Sequence, residues 1–461
     1  MVKMTVVLGF LVAAAGCQTP STSVFLESGD PALTAGSVVF GGMDGNLYAT
    51  RGDNDIVQLT RNGGGGSEGP VYGAYGWSGD RVVFGAQELS GDREITGFIY
   101  SVVPGESPRR LVRRRGFAPF FIYPSPDNNR VGYLGSVIGE QGFLMGSVAA
   151  NGRQDVVHGV GQPFYSAWSP DGLRLLTHIG LPFGPSGSRM QFQSVDVMIG
   201  GGSPEPVLDL RTGSFQAPAF SPDGESIAVS LRRAGTNVLA LISPDGAVIR
   251  DIAPLNGTAA MEWSGSGKQL AFIDGQYLQT GGITGSLWIS SSTGALRQVS
   301  ERVAAFFWSP DGSKLIYFEP FFAGSGSRGT LLYRLGLYRP SEDNSENIGL
   351  LRPSEAFVRQ IVPFFDQYHR AYTIWSPDSQ LVVLNSTRAD GVPVIHLVDT
   401  ERLRSSEQFS VAFTIPAQSN PEDGLITEDG VTTRVLSYGT VPFFSTEPAV
   451  FSRPEESRQG T

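Results

Sequence analysis

The residues best suited to chemistry crowd into one stretch, Val362-Pro363-Phe364-Phe365-Asp366-Gln367-Tyr368-His369-Arg370. A carboxylate, an amide, an imidazole and a guanidinium stand there among aromatic rings. Convergent polar groups on an aromatic floor are what a ligand pocket needs. Phe364, Phe365, Asp366, Gln367, Tyr368, His369 and Arg370 are therefore the candidate ligand or partner contacts, expected at the mouth of whatever the fold encloses. Asp366, His369 and Arg370 are also where a hydrolase or lyase site would sit, since acid–base catalysis needs titratable groups within reach of one proton. Shorter matches carry less. Gly65-Gly66-Ser67-Glu68-Gly69 fits a nucleophile elbow, but it lies in a glycine run without a strand–turn–helix context. Gly324-Ser325-Gly326-Ser327-Arg328-Gly329 fits a phosphate-binding loop, yet no helix follows it. His158, His178, His369 and His396 are too scattered for a zinc site. No catalytic residue, metal or cofactor is assigned.

These residues hang on a repeated unit. Trp308-Ser309-Pro310-Asp311-Gly312 leads into Leu315–Phe318, a strand end, a tight turn and a second strand. In the turn, Pro presets φ, Asp hydrogen-bonds its own backbone, and Gly accepts positive φ. The unit recurs from Trp168, Phe220 and Trp375, and in weaker form from Trp77, Pro124 and Trp263, at intervals of about 45 residues. Asp127, Asp171, Asp223, Asp311 and Asp378 occupy one turn position throughout. They read as turn formers and not as a carboxylate array.

Strands at this period predict an all-β propeller spanning 36–453. Counting second strands predicts eight blades, with seven as the alternative because the 375–451 interval is irregular. Residues 339–356 read as an inserted loop and Val358–Val362 as a fourth strand. Pro448-Ala449-Val450-Phe451-Ser452 matches the run into Phe220-Ser221 and is expected to pair with the N-terminal strands, closing the ring.

The ends read differently from the middle. Residues 1–17 carry Lys3, an apolar run too short to span a bilayer, and Ala14-Ala15-Gly16-Cys17. Cys17 is the only cysteine. The segment resembles a bacterial lipoprotein signal, which implies lipidation of Cys17 after cleavage. Residues 18–35, rich in Ser, Thr and Pro, read as a flexible tether, and 454–461 as a disordered tail. The formal net charge of −10 excludes a general nucleic-acid binder, which needs a basic face. The one dense basic run is Arg109, Arg110, Arg113, Arg114 and Arg115, placed on an outermost strand. Charge there discourages edge pairing, or meets anionic lipid or an acidic partner.

The Trp-Ser-Pro-Asp-Gly repeat resembles that of the TolB-like propellers. The resemblance implies a fold and an interaction role; here a tether, and not an α/β domain, precedes the first blade. The expectation is a lipid-anchored, extracytoplasmic propeller, periplasmic or at the cell surface, that binds an envelope protein, a peptide or a glycan. The alternatives are a propeller hydrolase or lyase and a periplasmic accessory of a transport system.

Overall fold

Each Ser-Pro-Asp turn is fastened by its own side chains. In 309–314 the Ser309 hydroxyl donates to Asp311 at 2.7 Å, Asp311 accepts the Ser313 N–H at 2.9 Å, and Ser309 Oγ accepts the Lys314 N–H at 2.9 Å. The same bonds recur around Ser125/Asp127, Ser169/Asp171, Ser221/Asp223 and Ser376/Asp378. These aspartates are Asx-turn formers, as expected. Hydrogen bonds from Ser169 and Ser221 hold Asp171 and Asp223 below the usual carboxylate range.

The computed structural model describes residues 36–445 apart from 52–54, 65–68, 91–93, 140–141, 163, 181–188, 204, 207–210, 279–281, 324–329, 364, 389, 401–424, 427–432 and 439. Cys17, the tether and the tail lie outside the described residues, as do Pro448–Ser452. The chain forms an all-β propeller of antiparallel sheets. Blade 1 comprises Thr440–Phe444, Val38–Gly41, Leu47–Arg51 and Asp55–Gln58; blade 2 runs from Val71–Ser78 to Arg109–Arg115. Blades 3 to 6 open with the inner strands Phe117–Pro124, Phe164–Trp168, Ala219–Phe220 and Thr258–Trp263. Blade 7 opens with Ala305–Trp308 and gains a fifth strand, Leu425–Ile426.

Those seven sheets have four or more strands each, which is the seven-blade alternative. The expected eighth unit is a three-stranded sheet, Leu381–Thr387, Pro393–Asp399 and Thr433–Tyr438, lying between blades 7 and 1. Its inner position is held by Trp375, bridged to Val382.

The ring closes by pairing tail with head, through a different segment from the one expected. Val38 pairs with Phe444 and Val39 with Phe443. Phe444-Ser445 plays the part assigned to Phe451-Ser452, for Ser445 Oγ accepts the Ser37 N–H at 3.0 Å, the bond that Ser309 makes within its own turn. Two strand assignments also change. Residues Asn344–Leu351 are blade 7's fourth strand, and Phe357–Ile361 is a helical turn. Phe357 and Ile361 are buried four residues apart while Arg359 is exposed, a helical period in a run short enough to mimic alternation.

Neighbouring blades are latched by tryptophan. The indole N–H of Trp77, Trp168, Trp263, Trp308 and Trp375 donates to the carbonyl of Phe443, Tyr123, Ala219, Glu262 and Phe307, at 3.0–3.2 Å. Each acceptor lies on the inner strand of the blade before. Successive turns also touch: Gly79 lies against Asn128, Gly172 against Asp127, Gly312 against Ser264, and the Asp311 N–H donates to Ser379. All first turns therefore share one face of the disc, and the hairpins joining second and third strands project from the other.

A net hydrogen bond contributes about 1 kcal/mol, and leaving a buried carbonyl bare costs about 1–3 kcal/mol. Trp375→Phe, which strips the donor from the Phe307 carbonyl, is expected to lower urea-unfolding stability by about 1–3 kcal/mol. Trp288→Phe is the comparison, because Trp288 makes no such bond among the described residues. Equal losses in the two variants would remove the latch as a distinct interaction.

Candidate functional site

Leaving blade 7 at Leu351, the chain bridges Pro353 to Ser386, makes the turn over Phe357–Ile361, and bridges Pro363 to Gly282 on the hairpin face. It then enters the ring as two short helical turns, Phe365–Tyr368 and His369–Ala371. Helical backbone suits the narrow axis because its N–H and C=O groups bond along the segment itself.

The inner strands around it have the opposite need, since their axial edges carry unpaired backbone groups. The segment supplies partners. Gln367 Oε1 accepts the Ser166 N–H of blade 4 at 2.7 Å. Asp366 Oδ2 accepts the Ala217 N–H beside blade 5 at 3.3 Å. Arg370 donates to the Met261 carbonyl of blade 6 at 3.4 Å. Rings do the rest. Phe365 meets Phe306 and Phe307 of blade 7 edge-on, each with centroids 5.5 Å apart. Tyr368 stacks on Phe121 of blade 3 at 4.7 Å, and Tyr372 on Phe443 of blade 1 at 4.8 Å.

The candidate residues are thus brought together, but inside the ring and not open at its mouth. Phe365 and Asp366 are 0 % exposed, Gln367 and His369 2 %. Tyr368 and Arg370 are partly buried, and Phe364 lies outside the described residues. The segment is an internal plug that ties six of the seven blades together.

Its electrostatics follow from burial. Loss of solvent raises Asp366 to about 7, opposed by the Ala217 N–H. Burial and the Arg370 charge lower His369 to about 3. His369 Nδ1 donates to the Phe365 carbonyl at 2.6 Å, which leaves Nε2 as the acceptor. That nitrogen stands 3.6 Å from Glu262 Oε2. Burial lifts Glu262 to about 8 against the pull of Arg370, yet its side chain stays 29 % exposed, so Asp366 is the cleaner titration. Among the described residues, Asp366 Oδ1, Gln367 Nε2, His369 Nε2 and Arg370 Nη1 are buried without a hydrogen-bond partner. Among the described residues no cluster of His, Cys, Asp and Glu could hold a metal ion.

No family model matches this chain, and no curated protein is similar to it. Solved structures do match its fold. TolB from Acinetobacter baumannii is 14% identical, with 70% of this chain and 78% of that one covered, at a TM-score of 0.36. An oligogalacturonate lyase from Vibrio parahaemolyticus is 14% identical over 79% of this chain and 98% of its own, at 0.46. An oligogalacturonate lyase in complex with manganese is 14% identical over 78% and 95%, at 0.47. At such identities the likeness concerns the propeller alone.

Glu262 was not singled out in the sequence, although a signal exists. In the other repeats the residue just before the Trp position is Gly76, Tyr123, Ala167, Ala219, Phe307 or Ile374, so a lone acid there stands out. The acceptor role of Gln216, which takes the Ala259 N–H at 3.0 Å, had no such signal.

The raised Asp366 has a readable consequence. A carboxyl whose folded pKa lies above its unfolded value gives stability that is complete below about pH 4 and lost as pH rises through about 7. Asp366→Asn removes this slope while keeping an acceptor for Ala217. The variant's melting temperature, relative to the parent, should therefore climb from about pH 4 to about pH 7 and level off above it. A constant offset across that range would show that Asp366 ionises normally.

Proposed function

We propose that this chain is an extracytoplasmic interaction module, held to a membrane through lipid on Cys17, which takes an envelope protein or peptide on its hairpin face. The observation that supports this reading most is that the chain fills its own axis, which moves recognition from a central pocket to the rims and faces. On the hairpin face, neighbouring blades 6 and 7 present Tyr277 and Leu278 at one tip and Phe322 at the next. Phe322 is 70 % exposed, the most exposed large apolar side chain among the described residues. Arg334 lies over the Phe321 ring at 5.6 Å, on the opposite face of the same strand from Phe322. Exposed aromatic anchors of this kind dominate protein interfaces. No helix among the described residues is long and apolar enough to cross a membrane, so attachment rests on Cys17 in this reading.

A second reading, a hydrolase or lyase, draws on Glu262 beside His369 at the turn-face end of the axis. There a partly exposed carboxyl and a neutral imidazole stand 3.6 Å apart.

Affinity capture from the native membrane separates the two. The parent protein should retain one stoichiometric protein partner, and Tyr277→Ala/Phe322→Ala should lose it at least tenfold, as expected when two aromatic anchors are truncated at about 1 kcal/mol or more each. Undiminished capture by the double variant would reject the hairpin patch. Turnover of a glycan or peptide abolished by Glu262→Gln would install the enzyme reading instead.

A further inference from the structure

The propeller carries one strongly basic strip, and its placement on the disc singles it out. The chain has 34 basic residues, only three of them Lys, and a net charge of −10. Five arginines nonetheless fall within the seven residues Arg109–Arg115, the outermost strand of blade 2, whose outer edge pairs with no strand among those described. Arg114 is taken by Asp155 at 2.6 Å. Arg109 donates to the Asn151 carbonyl. That contact brings it to the blade 3 turn that bears exposed Arg153. Arg110, Arg113 and Arg115 are exposed and make no ion pair among the described residues. Glu94 and Glu106 stand in the loops beyond the strip's two ends, and Glu88 lies two strands inward, in register with Arg115 through Thr96.

Protection of a sheet edge would be served by any charge, and by Lys as well as Arg. Arginine, the usual basic residue of this chain, has a planar fork that can bind phosphate oxygens in pairs. The strip also begins on the face from which the chain enters the fold. Arg109 follows a turn on the turn face, and Gly36, the first described residue, packs against Pro377 in the turn of the three-stranded sheet on that same face. Only blade 1 separates that sheet from blade 2.

We propose that Arg109, Arg110, Arg113, Arg115 and Arg153 form a docking rim for an anionic, phosphate-bearing lipid surface. The rim lays the propeller edge-on against the membrane and turns the hairpin face away from the tether. This inference shares with the functional reading a membrane-side location, but it concerns a different surface and does not need acylation.

The test uses the full chain with Cys17→Ser, so that no acyl chain contributes, and vesicles of phosphatidylcholine with or without phosphatidylglycerol. The protein should sediment with the phosphatidylglycerol vesicles, not with phosphatidylcholine alone, and release at about 0.5 M salt, where screening is short-ranged. Arg110→Gln/Arg113→Gln/Arg115→Gln should weaken binding roughly a hundredfold, about fivefold for each cation near an anionic surface. Arg61→Gln/Arg232→Gln/Arg302→Gln makes the same change in net charge at other exposed arginines. It should retain most of the binding. No sedimentation of the parent, or equal losses in the two triple variants, overturns the proposal. So does loss of a soluble acidic protein partner by the first variant with vesicle binding intact. Circular dichroism of both variants checks that these exposed substitutions leave the fold in place. Failure here would leave capture through Tyr277 and Phe322 unaffected.

Discussion

A ring of blades presents its innermost strand edges to a common axis, and those edges carry backbone groups that must find partners. In this propeller the partners are built into the chain. Tryptophan indoles bind carbonyls from blade to blade, and the plug reaches outward to the Ser166 and Ala217 N–H groups and the Met261 carbonyl. The two devices complement each other, one running around the ring and the other radiating from its centre. A single insertion between blade 7 and Trp375 provides the second. It also accounts for the three-stranded sheet, because the chain that would have formed its inner strand is spent inside the axis.

Much of this was legible in the residues. Trp-Ser-Pro-Asp-Gly encodes a turn through local hydrogen bonds that need no tertiary context, so its copies located the blades and the first two strands of most of them. The closing strand was legible in kind but misplaced by seven residues, since Phe444-Ser445 and Phe451-Ser452 offer the same pair of side chains. What separates them is register against Val38 and the donor at Ser37, which only the folded ring supplies. The Phe357–Ile361 turn was hidden because five residues cannot distinguish a helical period from alternation. The segment from Phe365 to Arg370 stood out in the sequence by its density of polar and aromatic groups. Its meaning turned on burial: the polar groups expected to face a ligand face the protein's own strand edges.

That reversal shapes the functional reading. A propeller whose axis is occupied by its own chain has its faces and rims available for recognition, and here these differ in character. The hairpin face offers Tyr277, Leu278 and Phe322, whereas the rim of blade 2 offers arginines on an otherwise acidic molecule. The cost of the plug is visible too. Asp366, Gln367, His369 and Arg370 each bury one polar atom without a partner among the described residues, and such groups are tolerated only where the surrounding structure holds them. The same burial gives Asp366 and His369 their displaced ionisation.

The plug seals the inner edges of the ring. Backbone hydrogen exchange at Ser166 and Ala217 measures it directly, because each N–H has its partner in the plug and not in its own sheet. Both amides should be protected as strongly as mid-strand amides in the same blades, and their protection should fall sharply in Asp366→Ala/Gln367→Ala while those mid-strand amides stay protected. Rapid exchange at Ser166 and Ala217 in the parent protein would contradict it.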